Sequence, residues 1–146
     1  NYVLSRQKKT SLKKQKIELI EKKMMVVNQG YVKKKINDKN TLIIDARPKK
    51  RFLGLEEEPR KNLKRGNIPG SINIPFTTLV DKKGRFLSKS VLKKKFGRHV
   101  NFSLIKEIIC TCGSGVTACN IIFGLNLLGI QNLKLYDGSW AQWGKK

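Results

Sequence analysis

The run Ile108-Ile109-Cys110-Thr111-Cys112-Gly113-Ser114-Gly115-Val116-Thr117-Ala118-Cys119 passes from an apolar segment, through a short polar loop, into a second apolar pattern. Ile108 to Cys110 has the length and character of a buried strand. Ile121, Ile122, Leu125, Leu127 and Leu128 recur at helical spacing. A strand leading by a tight turn into a helix decides the fold class. The glycines of the turn tolerate dihedrals that other residues resist, so the backbone can wrap around Cys112. The N–H groups from Gly113 to Thr117 are then expected to converge as an anion cradle, with the positive end of the following helix pointing into it. Such a cradle favours the thiolate form of a thiol held there, which is the nucleophile. Cys112 is therefore the expected nucleophile. The competing reading is a buried strand-end cysteine, a frequent fate of a free thiol. It requires the strand to run on through Cys112, which Gly113 opposes. Cys110 and Cys119 are read as packing residues.

Working outward, Thr41-Leu42-Ile43-Ile44-Asp45 is a second apolar strand. Before it, a short strand from Met24 to Val27 leads to Asn28, a suitable N-cap. Tyr31, Val32 and Ile36 then fit an amphipathic helix ending near Asn37. Strand, helix, strand is the rhythm of a parallel α/β sheet. Pro48 to Gly70 reads as one long irregular stretch, and loops of that length usually serve function. Phe76 to Val80 is a helical turn, and Asp81-Lys82-Lys83-Gly84 a reverse turn. Ser90 is the expected cap of a helix with Val91, Leu92 and Phe96 inward. His99 falls near its end, on the surface. Gly129 is a C-cap for the helix after the loop, and Leu133 to Tyr136 is a further strand.

The chain has 146 residues, enough for one domain with a real core. Residues 1–23 form a basic arm, and residues 24–146 the folded domain. The chain begins at Asn1, so the sequence is expected to be a fragment or processed product, with any targeting segment upstream. No apolar run is long enough to span a membrane. The net charge is +22, and eight basic and two acidic residues among 1–23 leave +16 in the rest. That field attracts anions of any kind. Yet the lysines are scattered, and no basic motif interleaved with aromatics is visible, which argues against nucleic acid. Abundant Asn and Ile suggest that lysine enrichment is a compositional habit. Cys110, Cys112 and Cys119 are too close-set for a metal finger, and His99 has no neighbouring ligand, so neither metal nor cofactor is expected. An odd number of thiols with a reactive loop suits a reducing compartment, cytoplasmic or mitochondrial.

Cys112-Gly113-Ser114-Gly115-Val116-Thr117 resembles the active-site loop of the mercaptopyruvate sulfurtransferases in the rhodanese superfamily. Further pieces of the chain share the resemblance. Asp45-Ala46-Arg47 resembles the structural Asp-x-Arg at the end of a rhodanese strand. Gly66-Asn67-Ile68-Pro69-Gly70 is similar to a Gly-His-Ile-Pro-Gly motif, with Asn67 in place of histidine. Arg51-Phe52 and Glu58-Pro59-Arg60 resemble the substrate loop, and Tyr136-Asp137-Gly138-Ser139-Trp140 a terminal string whose Trp140, with Trp143, packs the pocket wall. The resemblance runs from about Met24 to Trp143. It implies a central, mostly parallel five-stranded sheet flanked by helices, with the loop at the strands' carboxyl edge. It further implies that Arg51 and Arg60 hold the donor's carboxylate and carbonyl, as guanidinium forks can. Pairing of both arginines with Glu56 to Glu58 is the alternative. Gly113, Ser114, Gly115, Val116 and Thr117 are the other expected substrate contacts.

The implied reaction moves the sulfur of 3-mercaptopyruvate, a small anionic donor, through a persulfide on Cys112 to a thiol reductant or thioredoxin-like acceptor. The resemblance is to the second, catalytic domain of a two-domain enzyme, whose other domain supplies a histidine and an aspartate to a relay; His99 is not placed for that role. Gly113 and Ser114 are neutral where thiosulfate-preferring relatives carry cations, so mercaptopyruvate is the expected donor. Rival readings are a thiosulfate sulfurtransferase, a sulfur-relay protein for tRNA thiolation, and a catalytically dead regulatory domain, which usually lacks the cysteine. A phosphatase of the same fold needs Cys-x5-Arg, but Ala118 stands six residues after Cys112.

Overall fold

The computed structural model describes residues 25–146; the expected basic arm and Met24 lie outside them. The strands are β1 (Val26–Val27), β2 (Thr41–Asp45), β3 (Ile72–Asn73), β4 (Glu107–Thr111) and β5 (Leu133–Tyr136). The helices are α1 (Gln29–Lys35), α2 (Lys49–Phe52), α3 (Lys89–Gly97), α4 (Ala118–Leu127) and α5 (Ser139–Trp143), with a 3-10 turn over Phe76–Leu79. The sheet order is β1-β5-β4-β2-β3, and every pair is parallel. β4 is central, which explains why all five of its residues are buried.

Period-two alternation divides the core between two faces. Ile44, Ile108 and Cys110 pack with Leu92 and Phe96 of α3 and Ile121 and Leu125 of α4. Ile43, Ile109 and Tyr136 pack on the other face with Val32 of α1 and Trp140 of α5. Cys112 stands one residue beyond β4, yet it joins the same cluster as Cys110 and Ala118 and is 2% exposed.

The sequence expectations hold for β2, β5, the 3-10 turn and the cap of α1, where Asn28 Oδ1 accepts the Tyr31 N–H at 2.9 Å. Gly129 follows the C-cap of α4 at φ +79°. Four local readings need correction. The first strand covers only Val26–Val27 of the described residues. The stretch Pro48–Gly70 contains α2, which positions Arg51. Helix α3 starts at Lys89, after Ser88 and ahead of Ser90, and Ser88 makes no side-chain cap. Its phase is set by Leu92 and Phe96, one turn apart, so Val91 turns out to 40% exposure.

Candidate active site

The loop after β4 is held from below. The α5 amides of Trp140 and Ala141 donate to the carbonyls of Cys112 and Gly113, at 3.0 and 2.9 Å. In a trans peptide the N–H points opposite to the C=O. The amides of Gly113 and Ser114 are therefore turned away from α5, towards the cavity side. Among the described residues, neither donates to any group, and the same holds for Val116 and Thr117. The expected cradle includes Gly115, but its N–H is committed elsewhere. Ser139 Oγ accepts the N–H of both Cys112 and Gly115 at 3.0 Å and donates to the Tyr136 carbonyl.

Gly115 is required here by its backbone and by its surroundings. Its φ is +84°, and a Cβ would stand 2.6 Å from Asp137 Oδ1. Gly115→Ala is expected to lose about 1–3 kcal/mol of unfolding free energy. A urea titration showing an unchanged midpoint would contradict this role.

Cys112 opens into a cavity of about 320 Å³. Gly113, Ser114, Val116 and Thr117 line it with Arg47, Arg51, Glu58, Arg60, Leu63 and Phe76. So the structure brings Cys112, four loop residues and both arginines round one space. Gly115 is not among the lining residues; it faces Asp137 instead. The site lies at the carboxyl edge of a parallel sheet, where ligands of such folds bind.

Electrostatics explains how the arginines are placed. Arg47 is 1% exposed and grips Asp45 through Nε and Nη2, at 2.7–3.1 Å. Its Nη1 donates to Glu58 Oε1 at 2.7 Å, and its ring-facing side lies 4.5 Å from the Trp140 centroid. Glu58 is in turn ion-paired with Arg51 through its other oxygen. Glu58 thus bridges a structural arginine and a cavity arginine. The alternative pairing therefore holds for Arg51; Arg60 has no ion pair among the described residues. Arg51 Nη2 lies 3.2 Å from where a Gly113 Cβ would be. A cation does stand beside the loop, supplied by α2. The neutrality read at positions 113 and 114 missed it.

The other thiols are unsuited to attack. Burial pushes the Cys110 thiol up, so it stays protonated. Cys119 is exposed and does not pack in the core as expected, because it follows Ala118 on the outer side of α4. Its Sγ lies 3.6 Å from the Gly115 carbonyl, and its thiol is also pushed up, by burial first and then by Cys112 and Asp137. Asn67 Nδ2 donates to the Phe52 carbonyl, so the residue replacing histidine braces the end of α2. His99 is exposed among residues 97–103, away from the loop. Sequence reasoning passed over Glu58 and Ser139 as site residues. Both stand inside quoted strings, Glu58-Pro59-Arg60 and Asp137-Gly138-Ser139-Trp140, but were weighed for the neighbouring arginine and tryptophan.

Residues 28–146 match the rhodanese-like domain family. The chain is 47% identical over 105 residues to the 3-mercaptopyruvate sulfurtransferase of Escherichia coli (strain K12), covering 71% of this chain and 36% of that protein. It is 45% identical to the thiosulfate/3-mercaptopyruvate sulfurtransferase 1, mitochondrial, of Arabidopsis thaliana, covering 82% and 31%. Among solved structures, SseA of Escherichia coli superposes with a TM-score of 0.65 at 41% identity, covering 79% of this chain and 42% of that one. The Tum1 protein of Saccharomyces cerevisiae superposes with a TM-score of 0.74 at 30% identity, covering 83% and 43%. The chain spans about a third of the length of the curated relatives it matches.

Proposed function

Because the chain belongs to the rhodanese-like domain family, we propose that it transfers the sulfur of 3-mercaptopyruvate through a persulfide on Cys112. The Cys112 thiolate attacks the donor sulfur, and the donor's carbon–sulfur bond breaks. Its electron pair leaves as the enolate of pyruvate, which then takes up a proton. The unengaged amides of Gly113, Ser114, Val116 and Thr117 stabilise the negative charge that collects on the persulfide. A thiol acceptor afterwards removes the outer sulfur. The reading gives this chain a small anionic donor and a reducing compartment, cytoplasmic or mitochondrial. Among the described residues no helix is long and apolar enough to cross a membrane.

The observation that carries this reading is the convergence of Cys112, free loop amides and Arg51 on one cavity. Charge balance favours a donor with one negative charge. Asp45 and Glu58 match Arg47 and Arg51, and the Cys112 thiolate adds a negative charge of its own, so exposed Arg60, which has no ion pair among the described residues, is the one cavity guanidinium left to meet a donor carboxylate. That suits a monocarboxylate better than doubly charged thiosulfate. The direct test is mass spectrometry after incubation with mercaptopyruvate. One added sulfur on the peptide bearing Cys112 is expected; unmodified Cys112 with sulfur on another thiol would overturn the assignment.

Arg51→Ala and Arg60→Ala are expected to act differently. Arg51→Ala removes a cavity cation and leaves Glu58, 2% exposed, facing an incoming anion. It should lower kcat/KM for mercaptopyruvate by about 1.5–3 kcal/mol, mainly through KM. Arg60 is exposed, so Arg60→Ala should cost about 1 kcal/mol. Arg65→Ala, which breaks an exposed pair with Glu57, serves as the control. Equal losses in all three variants would indicate a diffuse basic field and no carboxylate clamp.

A further inference from the structure

We propose that Ser139 is a positioning residue for sulfur transfer, fixing the peptides on either side of the two amides that face the cavity; this rests on the sulfurtransferase reading above. The first sign is backbone strain. Ser139 has φ +47°, in the left-handed region where a Cβ crowds the following carbonyl. The other described non-glycine residues at positive φ are Asn62 and Asn132, and asparagine is a type that tolerates this region. Serine lacks that tolerance, so the surroundings have to hold the strain. Glycine at 139 would relieve it. The use of serine points to a need for the hydroxyl.

That hydroxyl is fully engaged. Ser139 is 0% exposed. Its Oγ accepts the N–H of Cys112 and of Gly115, each at 3.0 Å, and donates to the Tyr136 carbonyl at 2.8 Å. The Cys112 N–H belongs to the peptide joining Thr111 to Cys112, and the Gly115 N–H to the peptide joining Ser114 to Gly115. Between these lie two further peptides. Their carbonyls, on Cys112 and Gly113, accept from Trp140 and Ala141, and their N–H groups, on Gly113 and Ser114, are turned towards the cavity side. Four consecutive peptides are thus pinned to three consecutive residues, the inner two through the backbone and the outer two through one side chain.

The inner bonds alone leave freedom, because each peptide is held by one bond and can swing about it. Gly113 has no Cβ to restrict its own dihedrals. Fixing the peptide before and the peptide after removes that freedom, and Ser139 does both. Ser139 does not line the cavity, so it acts through the loop amides and not on the donor. Donors of hydrogen bonds already aimed at a developing negative charge stabilise it without reorganising. Loosened amides leave donor binding to the arginines and lose their hold on the persulfide. The effect of Ser139 therefore falls on kcat.

The test compares S139A, S139G and S139T with the unmodified chain. S139A keeps the strain and loses the hydroxyl, S139G loses both, and S139T keeps both. Each is measured by urea unfolding, by pyruvate release from mercaptopyruvate, and by the rate at which iodoacetamide alkylates Cys112, followed on its peptide by mass spectrometry. A fall in kcat of about tenfold or more is expected in both S139A and S139G, with KM for mercaptopyruvate within about threefold. This should hold although S139G unfolds at higher urea than S139A, its backbone being unstrained. S139T should keep kcat within about threefold even where its extra methyl lowers the urea midpoint. Alkylation of Cys112 should slow by about fivefold or more in S139A and S139G, because fewer aligned amides favour the thiolate. Activity that tracks the urea midpoint through the series, with S139G well above S139A, would make Ser139 merely structural and overturn the proposal. Unchanged or faster alkylation in both variants would overturn it too. If S139T does not fold, S139A and S139G decide between them. No pyruvate from the unmodified chain would overturn the sulfurtransferase reading, and the alkylation rates would still decide whether Ser139 sets the loop.

Discussion

Cys112→Ser is expected to abolish sulfur transfer from mercaptopyruvate while the domain stays folded. Serine differs from cysteine by one atom, and the Cys112 side chain, in the same core cluster as Cys110 and Ala118, borders the cavity, where a hydroxyl can be solvated. Its hydroxyl is a far weaker nucleophile at neutral pH and cannot carry a persulfide. The loop amides and arginines would remain and still bind donor, so kcat should vanish without a matching loss of donor affinity. Cys110→Ala and Cys119→Ala provide the contrast. Both thiols are held protonated, and neither lines the cavity, so turnover should persist with at most a loss of stability. Steady-state release of pyruvate, with circular dichroism to check folding, decides the matter. Residual activity in Cys112→Ser above a few per cent would move the nucleophile elsewhere.

Arg47→Ala is expected to be the most destabilising substitution at the site, by about 3–5 kcal/mol, because it leaves buried carboxylates uncompensated. Asp45 and Glu58 are 1% and 2% exposed on their side chains, and both are bonded to this guanidinium. Arg47 Nη2 also donates to the Gly66 carbonyl, so the loop carrying Arg51 and Arg60 loses its anchor. Urea unfolding monitored by tryptophan fluorescence measures the loss directly, since Trp140 stacks on Arg47. Arg47→Lys should recover only part of it, because an ammonium cannot serve Asp45, Glu58 and Gly66 in one plane. A loss below about 1 kcal/mol would mean that water reaches and solvates Asp45 and Glu58.

These two expectations come from different levels of information. The loop that carries the candidate cysteine was legible because strand, glycine turn and helix follow one another within a dozen residues. The apolar runs of β2 and β5 and the helical apolar pattern of α4 are equally local, and the structure keeps their limits almost unchanged. Helix α2 escaped notice because it is four residues long and buries none of them, so it leaves no apolar period. The phase of α3 was ambiguous between adjacent apolar residues until Phe96 and Leu92 met the core.

By itself the sequence determined the class of fold and singled out Cys112 as the candidate nucleophile, because both depend on residues adjacent in the chain. Tertiary structure alone decided which amides face the cavity. Ser139, 27 residues beyond Cys112, takes the amides of Cys112 and Gly115, and α5 turns the neighbouring peptides outward. It also decided that Glu58 binds two arginines at once, and that Arg51 supplies the cation missing from Gly113 and Ser114. Leu63 and Lys145 likewise meet only across a bridge that folding creates. Hydrogen bonds and ion pairs act over a few ångströms whatever the separation along the chain. A pattern read along the chain therefore cannot identify partners that only folding brings together.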